Sequence, residues 1–411
     1  MNANNKRLQA ACYIANASTA IVTNFPPILF LTFRALYGIS YSMIGLLVVI
    51  NFVTQLLIDV AFSLFSEKFN IKKTIRLMPI LTACGYLFYA LMPYFFAENA
   101  YLWLVIGTVI FAASGGLGEV FVNPIFAAIP CDDPGRAMGR LHAFYAWGVV
   151  AAIVFGAIFL FLFGGTAWHW LMLILMIVPV ITAVLYATCD IPEVKTGSRV
   201  SGHSLFADKR MWLCVGAIFL CGAVEFTMGQ WSSTYLEMAL GIPKIWGDMF
   251  GVALFSGMMA IGRTLYAKFG KDLCRVMLLG VIGAGICYLA VVLFNAPIIG
   301  LLACIFTGFS VCMLWPGCLV LAPERVPNAG IILYAMMAAG GDLGGSVAPQ
   351  LVGIITDAVI ANPAAAALAE RLSLTPDQLG IKLGMLIGLL FAVIAIPVYN
   401  YLRKTRVTPA N

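Results

Sequence analysis

Glu119 and Asn123 stand four residues apart inside a long apolar run, a spacing that puts both on one face of a helix. Burial disfavours the charged form of a carboxylate. A glutamate so placed can take up and release a proton, and the amide beside it can hold a polar solute. Asn51, Gln55 and Asp59 repeat the every-fourth spacing in an earlier apolar run; Asp342, Ser346 and Gln350 repeat it in a later one, with Tyr334 two turns before. Glu225 is followed by Gln230, Trp231 and Ser232. Acid, amide and indole together suit a sugar-like or zwitterionic ligand, because the indole offers both an apolar stacking face and an N–H donor. His142 lies 200 residues before Asp342 and adds a group that titrates near about pH 6.5. Each of these polar positions has a second reading, as an interhelical hydrogen bond or a packing residue.

Other chemistries find no support in the sequence. The glycine runs 115–118 and 340–345 lie within apolar stretches, where small residues let helices approach closely, and no Gly-x-x-x-x-Gly-Lys-Ser/Thr run exists for a nucleotide. The eleven cysteines lie mostly in apolar runs, without the histidine spacing of a metal site. Asp132 and Asp133, the only paired loop acids, adjoin Pro134-Gly135 and read as a solvated turn rather than a catalytic pair. We expect no enzyme activity, no cofactor and no resident metal.

The elements that carry these residues follow from composition. Of 411 residues, 62% are hydrophobic and 10% charged, against about 25% charged in soluble domains. So few charges cannot cover a water-facing surface, and the apolar surplus must face lipid. About 20 apolar residues cross a bilayer as a helix. Twelve such runs occur, near 9–36, 41–65, 74–96, 100–129, 139–163, 167–188, 210–239, 246–268, 273–295, 297–322, 328–360 and 379–402. Backbone polar groups find no water in lipid, so the runs are helices.

The +6 net charge needs no nucleic-acid partner. Counting connections alternately, nineteen of the 24 Lys and Arg fall on one side and four on the other, with Arg263 inside a run. The positive-inside rule then predicts a multi-pass protein of the cell membrane with both termini cytoplasmic.

The longest cytoplasmic connection falls mid-chain, which predicts a bundle over 1–189, a linker over 190–209 and a second bundle over 210–411. Lys68-Phe69 and Lys268-Phe269 recur 200 residues apart at matching places in the topology. The expected fold is therefore all-α: twelve transmembrane helices in two pseudo-symmetric six-helix bundles, as in transporters built from repeats.

The loop after the second run reads Ser63-x-x-x-Glu67-Lys68-x-Asn70-x-Lys72-Lys73. It resembles the Gly-x-x-x-Asp-Arg-x-Gly-x-Arg-Arg signature of the major facilitator superfamily, with Ser63 and Asn70 at the glycine positions. The resemblance implies a cytoplasmic gate made by Glu67, Lys68, Lys72 and Lys73; Asp59, two turns before Glu67, and Arg263, near the cytoplasmic end of the eighth run, are expected to join it. Tyr37-Gly38-Ile39-Ser40 before Ile44-Gly45-Leu46-Leu47, Gly115-Gly116-Leu117-Gly118-Glu119, Leu141-His142-Ala143-Phe144-Tyr145, Gly222-x-x-Glu225, Gly262-Arg263 and Gly340 to Gly345 with Pro349 resemble the fucose-permease-like sugar/proton symporters within it. That resemblance implies proton coupling at Glu119, which matches an acid on the fourth helix. Asn24, before Pro26, stands where an acid on the first helix is typical.

Taken together, the expected activity is alternating-access transport of a small polar, sugar-like solute by a monomer, coupled to a proton or a sodium ion. Glu119, Glu225, Asp342 and His142 are the coupling candidates. Asn24, Gln55, Asn123, Tyr145, Gln230, Trp231, Tyr334 and Ser346 are the solute candidates. The alternative is a proton-coupled drug or metabolite exporter of the same fold. Such exporters usually carry a Gly-Pro kink in the fifth helix, and residues 139–163 contain no proline.

Overall fold

A computed structural model of the chain describes residues 3–65, 70–130, 134–192, 207–326 and 330–405. The described residues form helices and short turns, without strands. In chain order the helices are α1 (Ala3–Asn24), α2 (Phe30–Tyr37), α3 (Tyr41–Phe65), α4 (Ile71–Phe95), α5 (Ala100–Ala127), α6 (Pro134–Phe163), α7 (Trp168–Leu175), α8 (Ile177–Ala187) and α9 (Lys209–Leu240). They continue with α10 (Leu254–Phe269), α11 (Leu273–Leu293), α12 (Pro297–Val311), α13 (Leu314–Arg325), α14 (Gly330–Ile360), α15 (Pro363–Arg371) and α16 (Pro376–Lys404). Among the described residues, eleven stretches are long and apolar enough to cross a membrane, and twelve when the bent pair α1 and α2 counts as one span.

The first span differs from the single straight helix expected from sequence. It bends by 43° where Pro26 and Pro27 enter a 3-10 turn over Pro26–Leu29. Proline has no N–H to donate and its ring clashes with the preceding turn, so the helix cannot run through. The sixth span is likewise split at Met176 and the tenth at Cys312–Met313. The eighth opens through Lys244–Trp246 and a π-helical segment, Gly247–Ala253, before α10. The ninth, α11, starts from the Asp272 cap, whose side chain accepts from the Arg275 amide. A helix absent from the sequence reading, α15, sits between the last two spans; the Asn362 side chain caps it and Pro363 occupies its first turn.

The chain packs as two compact units, Met1–Ile39 with Ile50–Thr196, and Ser40–Val49 with Gly197–Asn411. The first has a core of Leu8, Cys12, Ile75, Met78, Phe121, Ile125, Leu141 and Tyr186, all buried. There α4 and α5 meet at Gly85, against Phe111, and at Gly107, against Tyr89. In the second, α9 and α14 cross at Gly222 and Gly344, where a Cβ would run into the partner helix's backbone, at the Gly341 and Phe219 carbonyls. Such small-residue crossings are how helices associate where burial of apolar surface supplies no drive between them. Large apolar side chains cover the exterior: Phe161 is 67% exposed and Ile286 63%. That outward apolar surface is what a bilayer solvates and water does not.

Candidate functional site

Within the first unit, α3 carries the predicted polar stripe, and it is buried: Asn51, Gln55 and Asp59 are 4%, 1% and 4% exposed. Asn51 Nδ2 donates to the Val22 carbonyl of α1 at 3.0 Å, and Gln55 Nε2 donates to Asn51 Oδ1 at 2.7 Å. Asn51 thus stitches α3 to α1 and orients Gln55. Asp59 Oδ1 accepts no hydrogen bond from a described residue.

Helix α5, the fourth span, lies against this stripe because it is glycine there. A Cβ on Gly115 would come within 2.8 Å of Gln55 Oε1, and one on Gly116 within 3.1 Å of Asp59 Oδ1. Glu119 follows one turn on, and its side chain is exposed although the helix around it is apolar. One carboxylate oxygen of Glu119 lies within 4.8 Å of one of Asp59. The sequence reading gave these acids separate duties, coupling for Glu119 and gating for Asp59; in the folded unit they are neighbours. Two carboxylates at this spacing repel strongly in a low-dielectric setting, and a proton or a cation between them cancels the repulsion. Asn123, one further turn along α5, has its Oδ1 buried without a partner among the described residues.

Asn24 and Tyr145, both named as solute contacts, bond to each other: Asn24 Nδ2 donates to Tyr145 Oη at 3.1 Å and to the Ala20 carbonyl at 3.0 Å. Lys72 and Lys73 are exposed in the first turn of α4, which Asn70 caps by accepting from the Lys73 amide at 3.0 Å. The asparagine at this glycine position of the signature is therefore a helix cap. Glu67 and Lys68 lie outside the described residues, as do the side chains of His142 on α6 and Tyr334 on α14.

Within the second unit, Glu225 on α9 is 8% exposed. Its Oε2 accepts a weak bond from Cys221 Sγ at 3.9 Å, and the charge of Arg263 acts on it. Arg263 Nε donates to the Cys312 carbonyl at 3.0 Å, at the joint between α12 and α13. Expected as a gate, Arg263 is thus built into the packing of α10 on that joint. Trp231 is fully buried; its Nε1 donates to the Pro349 carbonyl at 3.0 Å and its ring lies 6.1 Å from that of Tyr41. In this structure the indole is a strut between α9 and α14 with no open stacking face. Gln230 is 4% exposed and Asp342 5%. Ser346 Oγ, also buried, donates to the Leu343 carbonyl at 2.9 Å.

Two further buried charges, Asp248 and Lys382, and one part-buried acid, Asp357, escaped the sequence reading. Asp248, in the π-helical segment, is fully buried, accepts from Ser233 Oγ and pairs with Lys244 Nζ at 3.2 Å. Their i, i+4 spacing was the available signal. Lys382 is 3% exposed and donates to the carbonyls of Val291, Val292 and Phe294 at the C-terminal end of α11. Asp357 binds backbone amides of α3.

The model of the Major Facilitator Superfamily matches residues 11–349. The chain belongs to this superfamily. Its members are transporters, not enzymes. A curated relative, the uncharacterized MFS-type transporter YfiU of Bacillus subtilis (strain 168), is 25% identical over 248 residues. That alignment covers 59% of this chain and 42% of the relative, so the chain spans less than half the length of the curated protein it matches. Among solved structures, a bacterial homolog of the human lysosomal transporter Spinster superposes with a TM-score of 0.74 at 15% identity, over 100% of both chains. The nucleoside transporter NupG superposes at 0.68 and 14% identity, over 97% of this chain and 99% of that one. A D-xylose-proton symporter superposes at 0.69 and 16%, over 95% and 96%. At these identities the likeness is one of fold. The facilitator fold accounts for the span count, and the assignment as a multi-pass membrane transporter rests on the family match over residues 11–349.

Proposed function

We propose that this facilitator is a proton-coupled symporter of a small polar, sugar-like solute, working by alternating access in the cell membrane with both termini cytoplasmic. The observation that carries the reading is the carboxylate pair of Asp59 and Glu119, within 4.8 Å of one another inside one unit. Glu119 is the water-reachable member and takes the proton; Asp59, held against Gly116, supplies the second charge that makes an unprotonated pair unfavourable. Gln55 and Asn123 flank the pair, and the bonded Asn24–Tyr145 pair offers donors and acceptors to solute hydroxyls. The motifs shared with fucose-permease-like symporters support a sugar-like solute. Both a nucleoside transporter and a xylose–proton symporter share the fold, and a hydroxyl-rich solute is common to their names. In the second unit, Glu225 and Asp342 are further coupling candidates and Gln230, Tyr334 and Ser346 further solute candidates; His142, on α6 of the first unit, is a further coupling candidate.

The test is uptake into proteoliposomes of labelled sugars, nucleosides and organic acids under an inward proton gradient, comparing wild type with Glu119→Gln. Gradient-driven accumulation lost in the variant, with exchange of the same solute retained, is the expected result. Accumulation unchanged in the variant overturns the role of Glu119. Efflux without uptake identifies an exporter, and accumulation that needs sodium instead of a proton gradient replaces the coupling ion.

A further inference from the structure

Where α9 ends, buried oxygen atoms gather inside the second unit. Glycines bring the backbone of the π-helical segment Gly247–Ala253 onto α9: a Cβ on Gly247 would lie 3.3 Å from the Ser233 carbonyl oxygen, and one on Gly251 3.3 Å from Ser232 Oγ. Asp248, between them, is fully buried. Its Oδ1 accepts from Ser233 Oγ and, at 3.4 Å, from Lys244 Nζ, which also lies 3.2 Å from Oδ2. Glu237, one turn after Ser233 on α9, is part-buried, and the charges of both Lys244 and Asp248 act on it.

Packing alone leaves two features of this corner unexplained. The first is charge. One ammonium faces two carboxylates, so one negative charge has no counter-charge among the described residues that act on Glu237. A charge withdrawn from water is costly unless it is paired. The second is a surplus of oxygen. Asp248 Oδ2, Glu237 Oε2 and Ser232 Oγ are all buried, and none has a hydrogen-bond partner among the described residues. Ser232 is independent of the acids: its side chain is 0% exposed and is turned onto Gly251 of the same π-helical segment. Buried polar atoms without a protein partner call for a water or an ion. Carboxylate and hydroxyl oxygens together suit a hard cation, and π-helical turns are frequent at functional sites.

We propose that Ser232, Glu237 and Asp248 form a site for one hard monovalent cation of sodium's size and charge, and that Lys244 competes with this ion for the carboxylates. One such ion restores neutrality, whereas a divalent ion beside Lys244 leaves a positive excess. The Lys244 side chain is 24% exposed and can turn towards water; Asp248, at 0%, stays in place. The bound ion ties the end of α9 to the start of the eighth span and so stabilises the second unit. All four residues belong to that unit, and none is shared with the Asp59–Glu119 pair. The site is therefore separate from the proposed coupling pair and does not depend on which solute is carried.

Thermal melts of the full-length protein in nanodiscs, in sodium, potassium or choline chloride at equal ionic strength, report occupancy with no solute present. An ion that binds only the folded state raises the melting temperature as its concentration rises. Wild type is expected to melt about 2–4 °C higher in sodium chloride than in choline chloride. Asp248→Asn and Glu237→Gln should lose that difference, and Ser232→Ala should need more sodium to reach it. Lys244→Met should need less, because the competing ammonium is gone. If Asp248→Asn fails to fold, Glu237→Gln, altered at a part-exposed side chain, carries the test. Equal melting temperatures in sodium and choline overturn the site. A sodium effect retained in Glu237→Gln also overturns it, as does one lost in Glu119→Gln, which puts the ion at the other carboxylate pair. An unchanged sodium requirement in Lys244→Met overturns the competition. Uptake of solute by wild type and Glu119→Gln is read separately, so failure of the coupling proposal leaves these melts informative.

Discussion

Replacing Gly344 with alanine tests whether the second unit is organised around the α9–α14 crossing. A Cβ on Gly344 would overlap the Phe219 carbonyl oxygen, with the Phe219 carbonyl carbon at 2.8 Å and the Ala223 nitrogen at 2.9 Å. All three are backbone atoms, so no rotamer change relieves the clash; the helices must part and lose packing along the seam. Overpacking of this kind costs up to about 3 kcal/mol. Alanine's better helix propensity returns about 1 kcal/mol, leaving a net loss of about 2 kcal/mol. Gly216 on α9 is the control, because nothing lies within 4 Å of a Cβ there. Gly216→Ala should therefore stabilise by up to about 1 kcal/mol, through propensity alone. Thermal melts followed with a thiol-reactive fluorophore suit the protein, since Cys221 and Cys304 are fully buried and react only on unfolding. The expected order of melting temperature is Gly216→Ala, wild type, Gly344→Ala. A Gly344→Ala protein that melts with or above wild type refutes the crossing as the organising contact.

Three other outcomes follow from hydrogen bonds at helix ends. Arg76 donates to the Tyr186 and Cys189 carbonyls, each at 3.1 Å, so it closes the C-terminal end of α8. Arg76→Ala should cost about 1–3 kcal/mol and speed labelling of Cys189, which is 2% exposed. Lys382→Met should leave the carbonyls of Val291, Val292 and Phe294 without their donor, lowering stability in the same melt by about 1–3 kcal/mol; a variant as stable as wild type rejects the capping role. Asp208 caps α9 by accepting from the Arg210 amide at 2.8 Å. The Arg210 side chain holds its carboxyl below the ordinary 3.8. A lowered folded-state value means that its stabilisation is present above pH 3.8 and lost as pH falls below it. Asp208→Ala should thus weaken the protein by about 1 kcal/mol near neutral pH, and the gap to wild type should close on acidification; a gap independent of pH contradicts the assignment.

Much of the architecture is a local property of the chain. A span needs about 20 apolar residues wherever it occurs, so the twelve runs could be read without knowing what any of them touches. Pro26-Pro27 carried the signal for the bend in the first span, because the missing donors belong to those residues alone. The caps Asn70, Asp208 and Thr375 are equally local, though the sequence reading passed over them, as it passed over Asp248 four residues after Lys244. Glycine runs on the fourth and eleventh spans were legible as close-approach surfaces, though not which helix each would meet.

Pairing across helices was decided by the tertiary structure. Glu119 and Asp59 are 60 residues apart in sequence and share no pattern; they meet because Gly115 and Gly116 bring α5 onto the α3 stripe. Asn24 and Tyr145 bond across 121 residues, which turns two separate solute candidates into one unit. Trp231 reads equally as a sugar platform or an interfacial anchor until its indole is seen on the Pro349 carbonyl. Asp357 lies 316 residues from Tyr41, and its purpose is invisible until the N-terminus of α3 arrives beside it. The difference has one physical origin. Lipid sorts residues by hydropathy, segment by segment, and that sorting is written along the sequence. A buried polar group must find its partner in three dimensions, and only the folded chain determines which partner that is.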